Sequence, residues 1–248
     1  MSKKFFFLIL TFIQISYIFN ADKAITIFIV GDSTAANKDT SGGKQERGWG
    51  QMFQANFNQN FVVVDNHALN GRSSKSFIDE GQWATVTKLI KKGDYVLIQF
   101  GHNDAKDDAE RHTDPGSTFD QYLSKYATET QRLGGIPVLM SPCVRRKWKN
   151  GKLVDTHGDY RLSAKNVATS LKVNYVDGNG ITEKLESDLG EEGSKKLHMI
   201  FSAGQEAAYP DGIEDNTHYN VYGATTVAKL FADELVKEIP DLAQYRKK

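Results

Sequence analysis

Ser33 ends the run Ile25-Thr-Ile-Phe-Ile-Val-Gly-Asp-Ser33, and Asp215-Asn-Thr-His218 lies near the far end of the chain. A serine hydroxyl attacks well only when a base takes its proton, and a neutral imidazole can do so near neutral pH. His218 is the candidate base. Its second ring nitrogen needs an acceptor that sets tautomer and orientation, and Asp215, three residues earlier, can reach it on a turn. Acyl transfer also needs donors for the charge that develops on the carbonyl oxygen. The candidates are the backbone N–H of Ser33, that of Gly71 in Leu69-Asn-Gly-Arg-Ser-Ser, and the side-chain amide of Asn103 in Phe100-Gly-His-Asn-Asp. These residue types point to covalent attack on an ester carbonyl, with no metal and no cofactor.

Residues so far apart in sequence meet only if a regular scaffold brings them together. Apolar, β-branched runs at 24–30, 61–64, 95–100, 136–140 and 173–176 alternate with helix-like stretches at 50–57, 83–91, 119–133 and 160–171. A final helix over 221–239 is stopped by Pro240. Short strands that are almost wholly apolar, separated by helices, predict an α/β fold with a parallel sheet covered on both faces. The long stretches 35–48, 66–81, 101–118 and 142–158 follow strand ends. They are expected to gather as loops at the carboxyl edge of the sheet, where ligands of open α/β folds bind. No repeat or proline-rich linker divides the chain, so residues 22–248 read as one domain.

The 248 residues carry 31 basic and 31 acidic side chains, so no global field draws the protein to nucleic acid or to a membrane surface. Lys3 and Lys4 precede an apolar segment, 5–19, that is too short and interrupted for a comfortable membrane span. Residues 1–21 therefore read as a secretory signal peptide, and the protein is expected to be secreted or periplasmic, a monomer, and not stably inserted in a membrane. Cys143 is the only cysteine, so no intramolecular disulfide can form. Its place at the end of an apolar run suits packing better than nucleophilic attack.

Gly31-Asp-Ser-Thr-Ala, Gly48-Trp-Gly-Gln, Asn70-Gly-Arg-Ser-Ser, Phe100-Gly-His-Asn-Asp-Ala-Lys and Asp215-Asn-Thr-His-Tyr occur in that order, after the expected strands. In these blocks the chain resembles the SGNH/GDSL hydrolase superfamily and, within it, the rhamnogalacturonan acetylesterases among the carbohydrate esterases. The resemblance implies a three-layer α/β/α sandwich, flavodoxin-like, with a five-stranded parallel sheet. It also implies metal-free deacetylation of a pectic polysaccharide. Ser33, Asp215 and His218 would then form the catalytic triad, and Ser33, Gly71 and Asn103 the oxyanion hole. Acetyl xylan esterase or another SGNH carboxylic-ester hydrolase keeps the same chemistry on another substrate, whereas a non-catalytic glycan-binding protein would not need the full set.

Among the remaining residues, Asp32 reads as a cap for the backbone after Ser33, and Asp104 as an organiser of the loop holding Asn103. His102 is placed either to touch substrate or to make a structural hydrogen bond. Asp155-Thr-His157-Gly-Asp159 lacks the convergent spacing of a zinc site and reads as a polar loop. Arg145-Arg146-Lys-Trp148-Lys is the one dense basic run, expected on the rim of the site. There Arg145 and Arg146 would hold carboxylates of an acidic acetylated polysaccharide, and Trp148 would stack on sugar.

Overall fold

The computed structural model describes residues 24–247. The segment 1–21, read as a signal peptide, lies outside the described residues. Strand β1 (Ile25–Gly31) leads through the two-residue strand β2 (Glu46–Arg47) and helix α1 (Trp49–Phe53) to β3 (Val62–Asn66). Helices α2 (Ser74–Asp79) and α3 (Gln82–Thr87) precede β4 (Tyr95–Gln99), and α4 (Thr118–Arg132) precedes β5 (Ile136–Met140). A hairpin, β6 (Trp148–Lys149) and β7 (Lys152–Leu153), is followed by α5 (Asp159–Leu171), β8 (Asn174–Val176) and α6 (Gly178–Ser194). The chain closes with β9 (His198–Phe201), β10 (Ile213–Asn220) and α7 (Val221–Glu238).

Five of these strands form the parallel sheet β3-β1-β4-β5-β8. Its order places the first strand beside the second and third, so the winding reverses at the carboxyl end of β1, the usual position of a ligand crevice. Alternation along β1 builds two cores. Ile27 and Ile29 pack with Trp49, Phe53, Val227, Phe231 and Leu235 under α1 and α7. Phe28 and Val30 face the other way, toward Phe77, Trp83, Leu123, Tyr126 and Val167 under α2 to α5. Two apolar faces per strand explain why the strands read as continuous apolar runs rather than alternating ones. The result is the expected three-layer α/β/α sandwich.

Several elements differ from the sequence reading. The stretch 66–81 holds helix α2, started by a capping box in which Ser73 Oγ accepts from Ser76 N–H and Ser76 Oγ accepts from Ser73 N–H. The stretch 142–158 holds the β6–β7 hairpin, whose Asn150-Gly151 turn has positive φ at both positions, as a tight two-residue hairpin requires. Helix α6 gives little periodic signal because glycines interrupt it, and at Gly190 its backbone leaves helical geometry. A separate antiparallel sheet, β2-β10-β9, stands beside the main one.

Helix α7 is tied to this small sheet by Asn220, whose Oδ1 caps Gly223 N–H while its Nδ2 donates to His198 O. The capped turn lies so close to the preceding chain that a Cβ at Gly223 would stand 1.9 Å from Leu197 O. Alanine favours helix over glycine by about 1 kcal/mol, but overlap with backbone cannot relax by side-chain rotation. Gly223→Ala is therefore expected to destabilise the protein by about 3 kcal/mol or more, lowering Tm by roughly 10 °C. An unchanged or raised Tm in thermal unfolding would contradict this packing.

Candidate active site

The turn after β1 is held from three sides. Asp32 Oδ1 accepts Thr34 N–H at 2.9 Å and Thr34 Oγ1 at 2.7 Å, which is the local cap expected of it. Beneath the turn, the fully buried Gln99 at the end of β4 accepts Trp49 Nε1–H at 2.8 Å on Oε1 and donates from Nε2 to Ser141 O at 3.2 Å. Trp49 N–H in turn donates to Thr34 O. A Cβ at Gly31 would meet Gln99 O at 2.7 Å, and one at Gly50 would meet Ala35 O at 2.6 Å. The Gly-Asp-Ser and Gly-Trp-Gly blocks are therefore two halves of one tight contact.

His218 arrives on β10. Its Nε2 lies 2.8 Å from Ser33 Oγ and its Nδ1 lies 2.7 Å from Asp215 Oδ2. Asp215 Oδ1 also accepts the backbone N–H groups of Thr217 at 2.8 Å and His218 at 3.0 Å. Burial opposes ionisation of Asp215, but the donors from the His218 ring and from both backbone groups outweigh it, and the carboxyl is held well below its usual range. The dyad sits on a bulged strand rather than on a simple turn. Asp215 pairs with Met199 and Tyr219 with His198, so Asn216, Thr217 and His218 have no partner on β9.

Donors for an oxyanion are present. Among the described residues, the backbone N–H groups of Ser33 and Gly71 make no hydrogen bond. Gly71 has φ +76°, and a Cβ there would meet nothing within 4 Å, so conformation rather than space calls for glycine. Asn103 Nδ2 donates to Arg72 O at 3.0 Å, which fixes the amide plane and leaves its second hydrogen available. The loop carrying Asn103 is organised by the buried Asp104, as expected. Its Oδ1 accepts from Ser74 N–H and from the Ser74 and Thr113 hydroxyls, and its Oδ2 accepts Gly101 N–H. Burial pushes the Asp104 carboxyl up to about 6 against those donors, so it is ionised at neutral pH.

The residues expected to meet substrate divide. Arg146 does not stand on the rim: it is only 8 % exposed. Its guanidinium is committed to Ser194 Oγ at 3.0 Å, Asn216 Oδ1 at 2.7 Å and Glu191 O. The carboxylate-binding role expected for Arg146 is thus corrected, because the side chain is buried and each of its three nitrogens already donates within the protein. Arg145 is half-buried and donates to Thr156 O and Oγ1 and to His102 O, with no carboxylate in ion-pair range among the described residues. Trp148 is half-buried on the β6–β7 hairpin, its Nε1 without a protein acceptor.

His102 points inward. It is 4 % exposed, with Nδ1 at 3.3 Å from Asp32 Oδ2, an alignment too poor for a hydrogen bond. Burial pushes its pKa down, against the upward pull of the Asp32 carboxylate it faces. His157 is not a solvated loop residue. Its ring lies edge-on to His102 with centroids 4.4 Å apart, and burial, reinforced by His102 and Arg145, drives its pKa far below the usual value. Among the described residues no three His, Cys, Asp or Glu side chains converge as a metal site, Asp155, His157 and Asp159 included. The Cys143 thiol is fully buried and pushed up to about 12 by that burial, which fits a packing residue.

A serine at the carboxyl edge of the sheet, a strand-borne histidine and its carboxylate thus stand within hydrogen-bond reach of one another. Residues 29–226 match the GDSL-like Lipase/Acylhydrolase family, and the chain belongs to that family: it is a carboxylic ester hydrolase. Rhamnogalacturonan acetylesterase RhgT of Bacillus subtilis is 41% identical over 212 residues, 85% of this chain and 89% of the relative. A rhamnogalacturonan acetylesterase of Emericella nidulans is 27% identical over 233 residues, 86% of this chain and 85% of the relative. Among solved structures, protein YxiM of Bacillus subtilis superposes with TM-score 0.74 at 26% identity, over 87% of this chain and 57% of that longer one. Among the described residues no helix is long and apolar enough to cross a membrane.

The Asp215 carboxyl links the site to stability. A folded pKa below the ordinary 3.8 means that ionised Asp215 stabilises the fold above that value, and that the contribution is lost as pH falls through the folded pKa. Asp215→Asn is expected to cost stability at neutral pH, with the gap to the parent closing as pH drops below about 4. Urea unfolding at several pH values measures the gap, and a gap constant with pH would contradict the depressed carboxyl.

Proposed function

We propose that this protein is a secreted serine esterase that removes acetyl groups from a pectic polysaccharide, rhamnogalacturonan, through an acetyl-enzyme intermediate. The observation that carries the chemistry is the hydrogen-bonded series Ser33 Oγ, His218 Nε2, His218 Nδ1, Asp215 Oδ2, at 2.8 and 2.7 Å. In this reading His218 takes the Ser33 proton as Oγ attacks the acetyl carbonyl. The tetrahedral oxyanion is received by the free N–H groups of Ser33 and Gly71 and by Asn103 Nδ2. His218 then returns the proton to the departing sugar hydroxyl, and the Ser33 acetyl ester remains. Water, deprotonated by the same imidazole, attacks that ester and releases acetate. Ionised Asp215 holds the ring in the tautomer that both steps need and offsets the charge the ring acquires.

The substrate reading is supported by the relatives that bear the name rhamnogalacturonan acetylesterase and by Arg145. Burial works against the Arg145 charge, with only Asp32 opposing, so an anionic ligand beside it would relieve a half-desolvated cation. Rhamnogalacturonan carries such carboxylates and xylan backbone does not. Export rests on the Lys3-Lys4 start and the apolar segment after it.

Ser33→Ala and His218→Ala are each expected to lower kcat on p-nitrophenyl acetate by about 10⁴-fold, with Asp215→Asn milder because it disorients the base rather than removing it. Near-normal turnover in Ser33→Ala, or acetyl trapped on another residue, would defeat the mechanism. A glycan-binding protein without catalysis would show no turnover in the parent protein.

Arg145→Gln is expected to raise KM for acetylated rhamnogalacturonan about fivefold, from roughly 1 kcal/mol of partly solvated charge contact. KM for acetylated xylan and for p-nitrophenyl acetate should barely change. Equal losses on all three substrates would make Arg145 a support for the 155–158 loop instead, and a parent enzyme that prefers xylan would overturn the substrate.

A further inference from the structure

The three-residue bulge in β10 presents His218, yet its crest has no strand partner to hold it. What fixes the crest lies outside the sheet. Arg146 N–H donates to Asn216 O at 2.8 Å, and Arg146 Nη1 donates to Asn216 Oδ1 at 2.7 Å, so one residue grips Asn216 by backbone and side chain together. The far side of the guanidinium is anchored on the last turn of α6. Nε donates to Ser194 Oγ at 3.0 Å, Nη2 donates to Glu191 O, and Ser194 Oγ itself donates to Glu191 O at 3.2 Å. The carbonyl end of a helix carries partial negative charge, which favours a cation there. Among the described residues no carboxylate forms an ion pair with Arg146, so its direct partners are helix carbonyl, hydroxyl and amide oxygens, with Glu192 acting on it only from a distance.

The base of the bulge is held separately. His198 opens β9 opposite Tyr219, its Nε2 in contact with the buried Glu186 Oε1 of α6 and its ring against that of Tyr219 at 5.1 Å. Asn220 Nδ2 donates to His198 O at 2.8 Å. Helix α6 therefore braces the bulge at both foot and crest, through different side chains.

We propose that Arg146 is a positioning residue for the general base. By clamping Asn216 to the end of α6, it sets the crest of the bulge so that His218 Nε2 faces Ser33 Oγ. The planar fork is needed because the three acceptors are reached from three separate nitrogens, whereas the donors of a lysine radiate from one. This inference rests on the proposed roles of Ser33, His218 and Asp215.

The test compares Arg146→Gln, Arg146→Lys and Asn216→Ala with the parent enzyme on p-nitrophenyl acetate, reading kcat, KM and Tm. A misaligned base should lower kcat by about tenfold or more while leaving KM for this small ester within about twofold, since binding it does not use the base. Arg146→Lys should not rescue kcat. The effects of Arg146→Gln and Asn216→Ala should not multiply, because both break one contact. Asn216→Ala leaves the buried cation's α6 anchor in place, so it answers the question even if Arg146→Gln fails to fold. The deciding arm puts Asn216→Ala into the His218→Ala background, where it should lower the residual rate no further. A further drop there by the same factor, or an unchanged kcat in Asn216→Ala with His218→Ala inactive, would overturn the clamp while leaving the catalytic reading intact. If His218→Ala retains normal turnover, the catalytic reading itself fails and the clamp with it.

Discussion

The close approach of the ends of β1 and β4 is the constraint on which the rest of the site depends. Gly31 lies against Gln99 with no room for a Cβ, and the buried Gln99 amide is occupied by Trp49 and by Ser141 O. A buried amide with its groups paired is costly to disturb, since any displacement strands a donor or acceptor away from water. The turn that follows is tied down through Thr34, and Ser33, inside that turn, makes one side-chain hydrogen bond, to His218.

The proposed base, His218, is supplied differently. It comes from a small antiparallel sheet that packs beside the main one, and from a strand whose regular pairing is interrupted. A strand cannot present two side chains three residues apart on one face, because its period is two. The bulge between Met199 and His198 removes that limit, and the Asp215 carboxylate stabilises it from within by accepting two backbone N–H groups as well as the ring. One carboxylate thus organises the backbone and orients the base, and its depressed pKa is the electrostatic signature of that double task.

Behind the oxyanion donors lies a buried polar layer of a different character. His102 and His157 stack edge to face, and neither ring has a nitrogen with a protein hydrogen-bond partner. Desolvation pushes the pKa of both rings down, and they pack between the Asn103 loop and the Asp32 turn. Arg145 roofs this layer by donating to His102 O and Thr156 O. This guanidinium, like that of Arg146, donates only to neutral oxygens, but unlike Arg146 it is only half-buried, which is why the proposed acidic substrate is assigned to it.

Strand positions, strand order in the chain and the parallel class were legible in the sequence, because apolar runs of strand length between helices leave few alternatives. The meeting of Ser33, Asp215 and His218 was foreseeable too, since each chemical role admits few residue types, although Asp215 and His218 lie within a strand, β10, and not in a loop after one. Helix α6 was not, because its glycines and several charges outweigh the only apolar signal, Ile181, Leu185 and Leu189 at four-residue spacing, which pack against the core. The bulge in β10 was invisible for a related reason: it is defined by which residue of β9 lies opposite, a property of pairing and not of either strand. Arg145 and Arg146 show the limit most plainly. Adjacent in sequence and alike in chemistry, they diverge because the chain turns here, Lys147 N–H donating back to Arg145 O, and different neighbours meet each side chain. One meets the neutral oxygens of the 155–158 loop beside the site, and the other is swallowed between α6 and the bulge. Sequence determined which groups could do chemistry, and tertiary packing decided which of them still face solvent, because burial is set by neighbours that are distant along the chain.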